Sequence, residues 1–149
     1  MERLLVLGAG AGQLGLLAAA RARGLFVIAV DRDPRAPGFQ FADRRAIVSV
    51  DDEPVVERLA EAERVDGVIA PGADWPVGAA ARIASKLGLP HPISPETAVL
   101  SASKLRQRER LAEAGIPQTR WPIREARSAA RTAPRSSREE RTSARARRP

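Results

Sequence analysis

Residues 4–15 read LLVLGAGAGQLG, a short apolar run followed by a segment rich in glycine. Four consecutive apolar residues that stop at a glycine are typical of a strand buried on both faces of a parallel sheet. From Gln13 to Arg23 apolar residues recur at spacings of three and four, and Gly24 supplies a C-terminal stop. The segment therefore predicts a strand, a glycine loop and a helix, in that order.

The same alternation of strand and helix continues along the chain. Further strands are predicted at 25–30, 46–50 and 65–70, with a short fifth segment after Leu89. Helices are predicted after Asp51 or Asp52, from Pro76 to Leu87, after Ser94 and from Ser103 to Ala114. Strands and helices that alternate through short connections imply an α/β fold with a doubly wound parallel, Rossmann-like sheet. We expect about five strands in the order 3-2-1-4-5, followed by short helices.

The chain divides into three parts by composition. Residues 1–94 hold the predicted sheet, 95–123 form a helical linker that leads toward a further domain, and 124–149 are a basic tail. The tail has nine Arg against three Glu, which carry six of the seven net positive charges of the chain. It contains no Leu, Ile, Val, Phe, Met or Trp, so it cannot bury enough apolar surface to offset the entropy of ordering. We expect it to be disordered.

The composition excludes several kinds of site. The chain has no Cys and a single His, which argues against thiolate zinc sites, disulfides and Ser-His-Asp or Cys-His catalysis. Aromatic residues make up only 3% of the chain, too few for platforms that stack single-stranded nucleic acid. We find neither an uninterrupted apolar stretch of membrane-spanning length nor a secretory signal. We therefore expect a soluble cytoplasmic protein without a membrane partner.

The glycine-rich segment forms a G-x-G-x-x-G motif between a predicted strand and a predicted helix. Its members are Gly10, Ala11, Gly12, Gln13, Leu14 and Gly15. Asp31 follows twenty-one residues after Gly10, at the end of the second predicted strand, as in the dinucleotide-binding fingerprint. Glycines let the backbone approach an anion closely, and the free amides of a helix N-terminus attract phosphate or carboxylate. The alternative is that these glycines only form a tight turn.

Two later segments hold further candidate ligands. Gly72 and Asp74 lie at the carboxyl end of the fourth predicted strand, where open α/β sheets bind ligands beside the loop of the first strand. Asp74 equally fits an N-terminal helix cap. Lys104 lies near a helix start, where its ammonium can meet phosphate oxygens, although a lone lysine is more often solvated.

The order of these motifs resembles the N-terminal, pre-ATP-grasp domain of ATP-grasp ligases. The segments that carry the resemblance are LLVLGAGAGQLG (4–15), APGADWP (70–76), LGLPHPISPETA (87–98) and SKLRQRERLAEAGIP (103–117). The resemblance covers residues 1 to about 122. It is strongest to the carboxylate–amine ligases and carboxylases, including the ATPase subunit of aminoimidazole ribonucleotide carboxylase, biotin carboxylase and carbamoyl-phosphate synthase.

The resemblance implies a reaction and a set of roles. Such enzymes use ATP to activate a carboxylate as an acyl phosphate and then pass it to a nucleophile. By resemblance, the loop from Gly10 to Gly15 and the region of Gly72 and Asp74 border a small anionic substrate, a carboxylate or a phosphate, with Asp31 nearby. Lys104 matches a lysine that contacts ATP phosphates, and ATP and Mg²⁺ are the implied cofactors. The oligomeric state stays open, with a homodimer as one option.

The chain departs from the family pattern after residue 123. The family's second lysine, its adenine-contacting hinge, its glycine-rich loop and its acidic magnesium ligands have no counterpart in residues 124–149. We therefore predict no metal ligands, and interpret the chain as a truncated ligase that lacks activity by itself. The composition of the tail favours a shifted reading frame in GC-rich coding DNA over the alternative of an evolved basic tail.

Two alternative functions stay open at this point. One is the NAD(P)-binding module of an oxidoreductase, which Gly10, Gly12, Gly15 and Asp31 would support. The other is nucleic-acid binding through the arginine-rich tail, which predicts an affinity that falls steeply with salt. We expect no nucleic-acid partner for the nearly neutral body of the chain.

Overall fold

A computed structural model describes residues 1–72 and 74–119. Its strands are β1 (Arg3–Leu7), β2 (Phe26–Asp31), β3 (Arg44–Ile47) and β4 (Gly67–Ile69). Its helices are α1 (Leu14–Ala22), α2 (Glu53–Glu63), α3 (Asp74–Lys86), α4 (Pro95–Ala102) and α5 (Lys104–Glu113), with 3-10 turns at Ala11–Gln13 and Pro37–Phe41. The predicted tail at 124–149 lies outside the described residues.

The strands form one parallel sheet in the order β3-β2-β1-β4. Leu5 of β1 pairs in register with Ile28 of β2 on one side and with Val68 of β4 on the other. The chain therefore winds outward from β1 in both directions, and the carboxyl ends of β1 and β4 meet at the point where the winding reverses. This confirms the doubly wound α/β fold.

The predicted fifth strand is wrong, because the described residues form a sheet of four strands. Residues 89–93 lie in no strand and lead directly to α4. Pro90 and Pro92 lack the backbone N–H that a sheet ladder requires, so this segment cannot donate at those positions. His91 instead pairs locally, with its Nδ1 2.8 Å from the carbonyl oxygen of Ile93.

Each face of the sheet has its own apolar core, because successive strand residues point to opposite sides. On one face, α2 and α3 cover Leu5, Leu7, Ile28 and Val30 with Val56, Ala60 and Ile83. On the other face, α1 and the turn Pro37–Phe41 cover Val6, Val27 and Ala29 with Leu17, Ala20 and Phe39. Apart from Phe39, the buried residues of both cores are aliphatic.

The segment after β2, residues 32–41, is partly buried. Ala36, Gly38 and Phe39 are buried, and the amide of Gly38 donates to the carbonyl oxygen of Ala9 over 2.7 Å. A Cβ atom at Gly38 would lie 2.4 Å from Cδ1 of Leu17 and 2.6 Å from the Ala9 oxygen. This close backbone contact helps to hold the glycine-rich segment in position at Ala9.

Residues Met1–Gln118 form one compact unit, in which α4 packs against α3 and α5 against α4. The division at residue 94 stays a prediction. Within the described part of the chain, none of the helices has the length and apolar character needed to cross a membrane.

Candidate functional site

The glycine loop, residues 8–13, begins directly where β1 ends. Gly8 has a φ of +103°, and its amide donates to the carbonyl oxygen of Val30 over 2.8 Å. The tight turn therefore lies at Gly8, whereas Gly10 has an ordinary φ of −71° and Gly15 lies inside α1. In the sequence, Gly8 immediately follows the apolar run of β1. That position could have located the turn at Gly8, two residues before the first glycine of the motif.

Asp31 holds the glycine loop from the neighbouring strand. Its Oδ2 accepts from the amide of Ala9 over 2.8 Å, and its Oδ1 accepts from the amide of Asp33 over 3.0 Å. Carboxylates that accept backbone N–H bonds form short, strong contacts. Asp31 therefore has a defined role within the chain, in addition to the ligand contact predicted from the sequence.

Gln13 joins the glycine loop to the β4–α3 connection, residues 70–73. Its Nε2 donates to the carbonyl oxygen of Pro71 over 2.7 Å. Gly72 approaches the same loop so closely that a Cβ atom there would lie 3.3 Å from the carbonyl oxygen of Gly12. The structure thus brings together the predicted residues of the two segments.

The N-terminal amides of α1 have no side-chain cap. Gly10, before the 3-10 turn, has no side chain that could cap it. The side chain of Gln13 does not cap α1, and the first turns contain no acidic residue. Asp52, Ser94 and Ser103 do cap α2, α4 and α5. The amides of Gln13 and Leu14 donate to the carbonyl oxygens of Gly10 and Ala11, so the amides available to attract an anion are those of the preceding loop.

The other candidates take different positions around this edge. Ala11 and Gly12 are exposed on the loop, and Leu14 is half-buried as the first residue of α1. Asp74 is the exposed first residue of α3, two positions after Gly72.

Lys104 is the exposed first residue of α5, which packs on α4. In the part of the chain that the structure describes, no hydrogen bond connects it to the glycine loop, so the structure does not join the predicted nucleotide contact to the other site residues.

A cleft of about 280 Å³ lies between the start of the glycine loop and the segments that follow β2 and β3. Gly8 and Asp31 line it together with Arg32, Ser49, Val50 and Asp51. The last four were not predicted from the sequence as site residues, although all of them follow the carboxyl ends of β2 and β3. Since parallel strands direct their carboxyl ends to one edge, that position was the available signal.

The site contains no set of metal ligands. Across residues 1–72 and 74–119, no three His, Cys, Asp or Glu side chains group closely enough to hold an ion. The described residues therefore do not fit the Mg²⁺ ion that the family resemblance implies.

No protein-family model matches the chain. Curated relatives match part of it. The formate-dependent phosphoribosylglycinamide formyltransferase of Solidesulfovibrio magneticus is 45% identical over 62 residues, which are 40% of this chain and 16% of the relative. The Burkholderia thailandensis protein of the same name is 42% identical over 62 residues, 15% of its length.

Solved structures match most of the chain. Phosphoribosylglycinamide synthetase from Anaerococcus prevotii has a TM-score of 0.72 and 28% identity, covering 84% of this chain and 32% of that protein. N5-carboxyaminoimidazole ribonucleotide synthetase from Thermotoga maritima has a TM-score of 0.67 and 26% identity, covering 80% and 33%. The biotin carboxylase domain of a single-chain bacterial carboxylase, at 22% identity and a TM-score of 0.60, shares the fold.

The matched proteins are ATP-grasp enzymes, and the chain matches their N-terminal region. It spans about a sixth of the curated relatives and about a third of the solved structures. These comparisons give no support to the oxidoreductase alternative. The described part of the chain is therefore similar to the N-terminal region of ATP-grasp carboxylate–amine ligases.

Proposed function

We propose that this chain supplies the substrate-side domain of an ATP-dependent carboxylate–amine ligase and binds a small anionic substrate at the sheet edge. The observation that carries the proposal is that the 3-10 turn Ala11–Gln13, which leads into α1 and has no side-chain cap, lies beside Gly72, where the winding of the sheet reverses. Ligands of open α/β sheets bind in the crevice at such a point. The amides of Gly10, Ala11 and Gly12 are the proposed anion contacts, because the amide of Gln13 already donates to the carbonyl oxygen of Gly10 over 3.1 Å.

The substrate class that fits this edge is a phosphorylated ribosylamine. The names of several relatives contain a phosphoribosyl or ribonucleotide group joined to an amine. The phosphate or carboxylate of such a compound would bind the helix-terminal amides of the glycine loop. Asp74, an exposed carboxylate at the start of α3, would accept a hydrogen bond from its amine.

The nucleotide side of the reaction has only one proposed contact in this chain. Lys104 would contact an ATP phosphate, by resemblance to the family. Phosphoryl transfer needs several cationic donors and a metal ion held on carboxylates, and the described residues provide no such acidic group. The role proposed for the described residues is therefore substrate binding and not phosphoryl transfer.

Amide NMR of the full chain tests the proposal, with inorganic phosphate and phosphoribosylglycinamide as separate probes. We expect shifts that concentrate at residues 9–16 for both probes. The amide of Thr97 is an internal control, because the hydroxyl of Ser94 already accepts from it. Shifts spread evenly over the chain, or equal at Thr97 and Gly12, would show that the loop is only a turn.

Other expectations stay predictions. They are the cytoplasmic location, the homodimer and the division into domains at residue 94. Nucleic-acid binding by residues 124–149 concerns a segment outside the described residues, and the salt dependence of binding to DNA tests it.

A further inference from the structure

The carboxamide of Gln13 lies between the two loops of the proposed site. Gln13 ends the 3-10 turn and immediately precedes α1, yet its side chain does not cap that helix. Instead its Nε2 reaches fifty-eight residues along the chain, to the carbonyl oxygen of Pro71 at 2.7 Å. The side chain is half-buried in this position.

Three glycines leave room for this carboxamide. A Cβ atom at Gly8 would lie 3.2 Å from Cδ of Gln13, and one at Gly10 would lie 3.2 Å from its Oε1. A Cβ atom at Gly72 would lie 3.4 Å from its Nε2. Two of these glycines belong to the glycine loop and the third to the β4–α3 connection, so both segments are shaped around one side chain.

We propose that Gln13 is a positioning residue that couples the glycine loop to the β4–α3 connection. The inference rests on the proposed function, because it concerns how the two halves of that site act together. An anion on the amides of the glycine loop would lie close to the carboxamide, because its Cδ and Oε1 are the atoms next to Gly8 and Gly10. Any displacement of the carboxamide moves Pro71, and with it Gly72 and the first turn of α3, where Asp74 lies.

The experiment compares phosphate titrations of the ¹⁵N-labelled full chain with those of Gln13→Met, whose side chain has similar length but no donor. In the unmodified chain we expect Gly72 and Asp74 to titrate with the same dissociation constant as residues 9–13. In Gln13→Met we expect the shifts at Gly72 and Asp74 to disappear, and the dissociation constant at the glycine loop to rise roughly fivefold, the scale of one lost hydrogen bond.

Gln40→Met is the matched control. Gln40 also donates from Nε2 to a proline carbonyl, that of Pro37 at 2.9 Å, but this hydrogen bond lies within one turn. We expect Gln40→Met to leave the joint titration unchanged. A general loss of stability would affect both variants, whereas loss of coupling is expected only at Gln13.

The outcomes separate the two proposals. If phosphate shifts no amides at residues 9–16 of the unmodified chain, the proposed function is wrong. If those amides titrate but the amides of Gly72 and Asp74 in the unmodified chain show no shift, the coupling by Gln13 is wrong. It is also wrong if Gly72 and Asp74 still titrate together with the glycine loop in Gln13→Met.

Gln13→Leu is a second variant in case Gln13→Met does not fold. Its side chain is uncharged and has no donor for the Pro71 carbonyl, so the joint titration should again be lost. If neither variant folds, two measurements on the unmodified chain test the coupling. A nuclear Overhauser effect between the Gln13 carboxamide protons and the Gly72 amide, together with joint titration, supports the coupling, and absence of either overturns it.

Discussion

At the residue scale, Gly38 has no room for a side chain. The nearest obstacle that cannot rotate away is the carbonyl oxygen of Ala9, which would lie 2.6 Å from an added Cβ. Since the Ala9 amide is also held by Asp31, the backbone cannot yield without disturbing the glycine loop. We expect Gly38→Ala to lower the free energy of unfolding by about 1–3 kcal/mol, the scale of overpacking in a core, as measured by urea denaturation.

Gly15→Ala is the control for that measurement. Gly15 is exposed inside α1, and an added Cβ would meet no atom within 4 Å. Alanine in a helix interior is favoured over glycine by up to about 1 kcal/mol, so this variant should be more stable than the unmodified chain. Equal stability of the two variants would contradict the close approach at Gly38.

At the scale of elements, a two-point ion pair joins α2 to α3. Arg82 donates from Nε to Oε1 of Glu53 over 2.9 Å and from Nη2 to Oε2 over 2.6 Å. The hydrogen bond from Arg82 is the main reason that the pKa of Glu53 lies below its ordinary value of 4.5. A lowered pKa in the folded state means that the stabilisation is present above pH 4.5 and is lost as the pH falls below it.

We therefore expect Arg82→Gln to reduce stability at pH 7 and to have little effect at acidic pH, where Glu53 is protonated in both proteins. The loss should be at most about 1 kcal/mol, because solvent screens the partly exposed Arg82. Thermal denaturation across pH 3–7 measures it. Arg110→Gln is the matched control, since Arg110 pairs with Glu113 where both side chains are largely exposed, and its effect should be smaller. A loss for Arg82→Gln that does not vary with pH would contradict the role of Glu53.

At the scale of the whole molecule, we expect weak binding of Mg-ATP and no ligase turnover. One lysine–phosphate contact at an exposed site contributes on the order of 1 kcal/mol, which is small against an association cost of at least about 4 kcal/mol. Calorimetry with Mg-ATP, and phosphate release with a panel of carboxylates and amines, measure both properties. Lys86→Ala is the control for Lys104→Ala, because these are the two lysines of the chain. Micromolar binding that only Lys104→Ala abolishes would contradict the prediction.

The sequence by itself predicted the local structure well, because its signals act over a few residues. The alternation of strands and helices is confirmed, as are the start of α4 after Ser94 and that of α5 after Ser103. Asp52, one of the two candidates, caps α2 by accepting from the amide of Val55. The family resemblance rested on motif order along the chain, which is also sequence information, and the comparisons confirm it.

Only the tertiary structure determined which distant groups meet. The Gln13–Pro71 hydrogen bond, the contact of Gly38 with Ala9 and the use of the Asp31 carboxylate all join segments far apart in sequence. Periodicity specifies which face of an element is apolar, but not which backbone atoms approach across the sheet edge. The prediction of a fifth strand was wrong for a related reason. A strand exists only where a neighbour supplies hydrogen-bond partners, and two prolines after Leu89 remove the donors that such pairing needs.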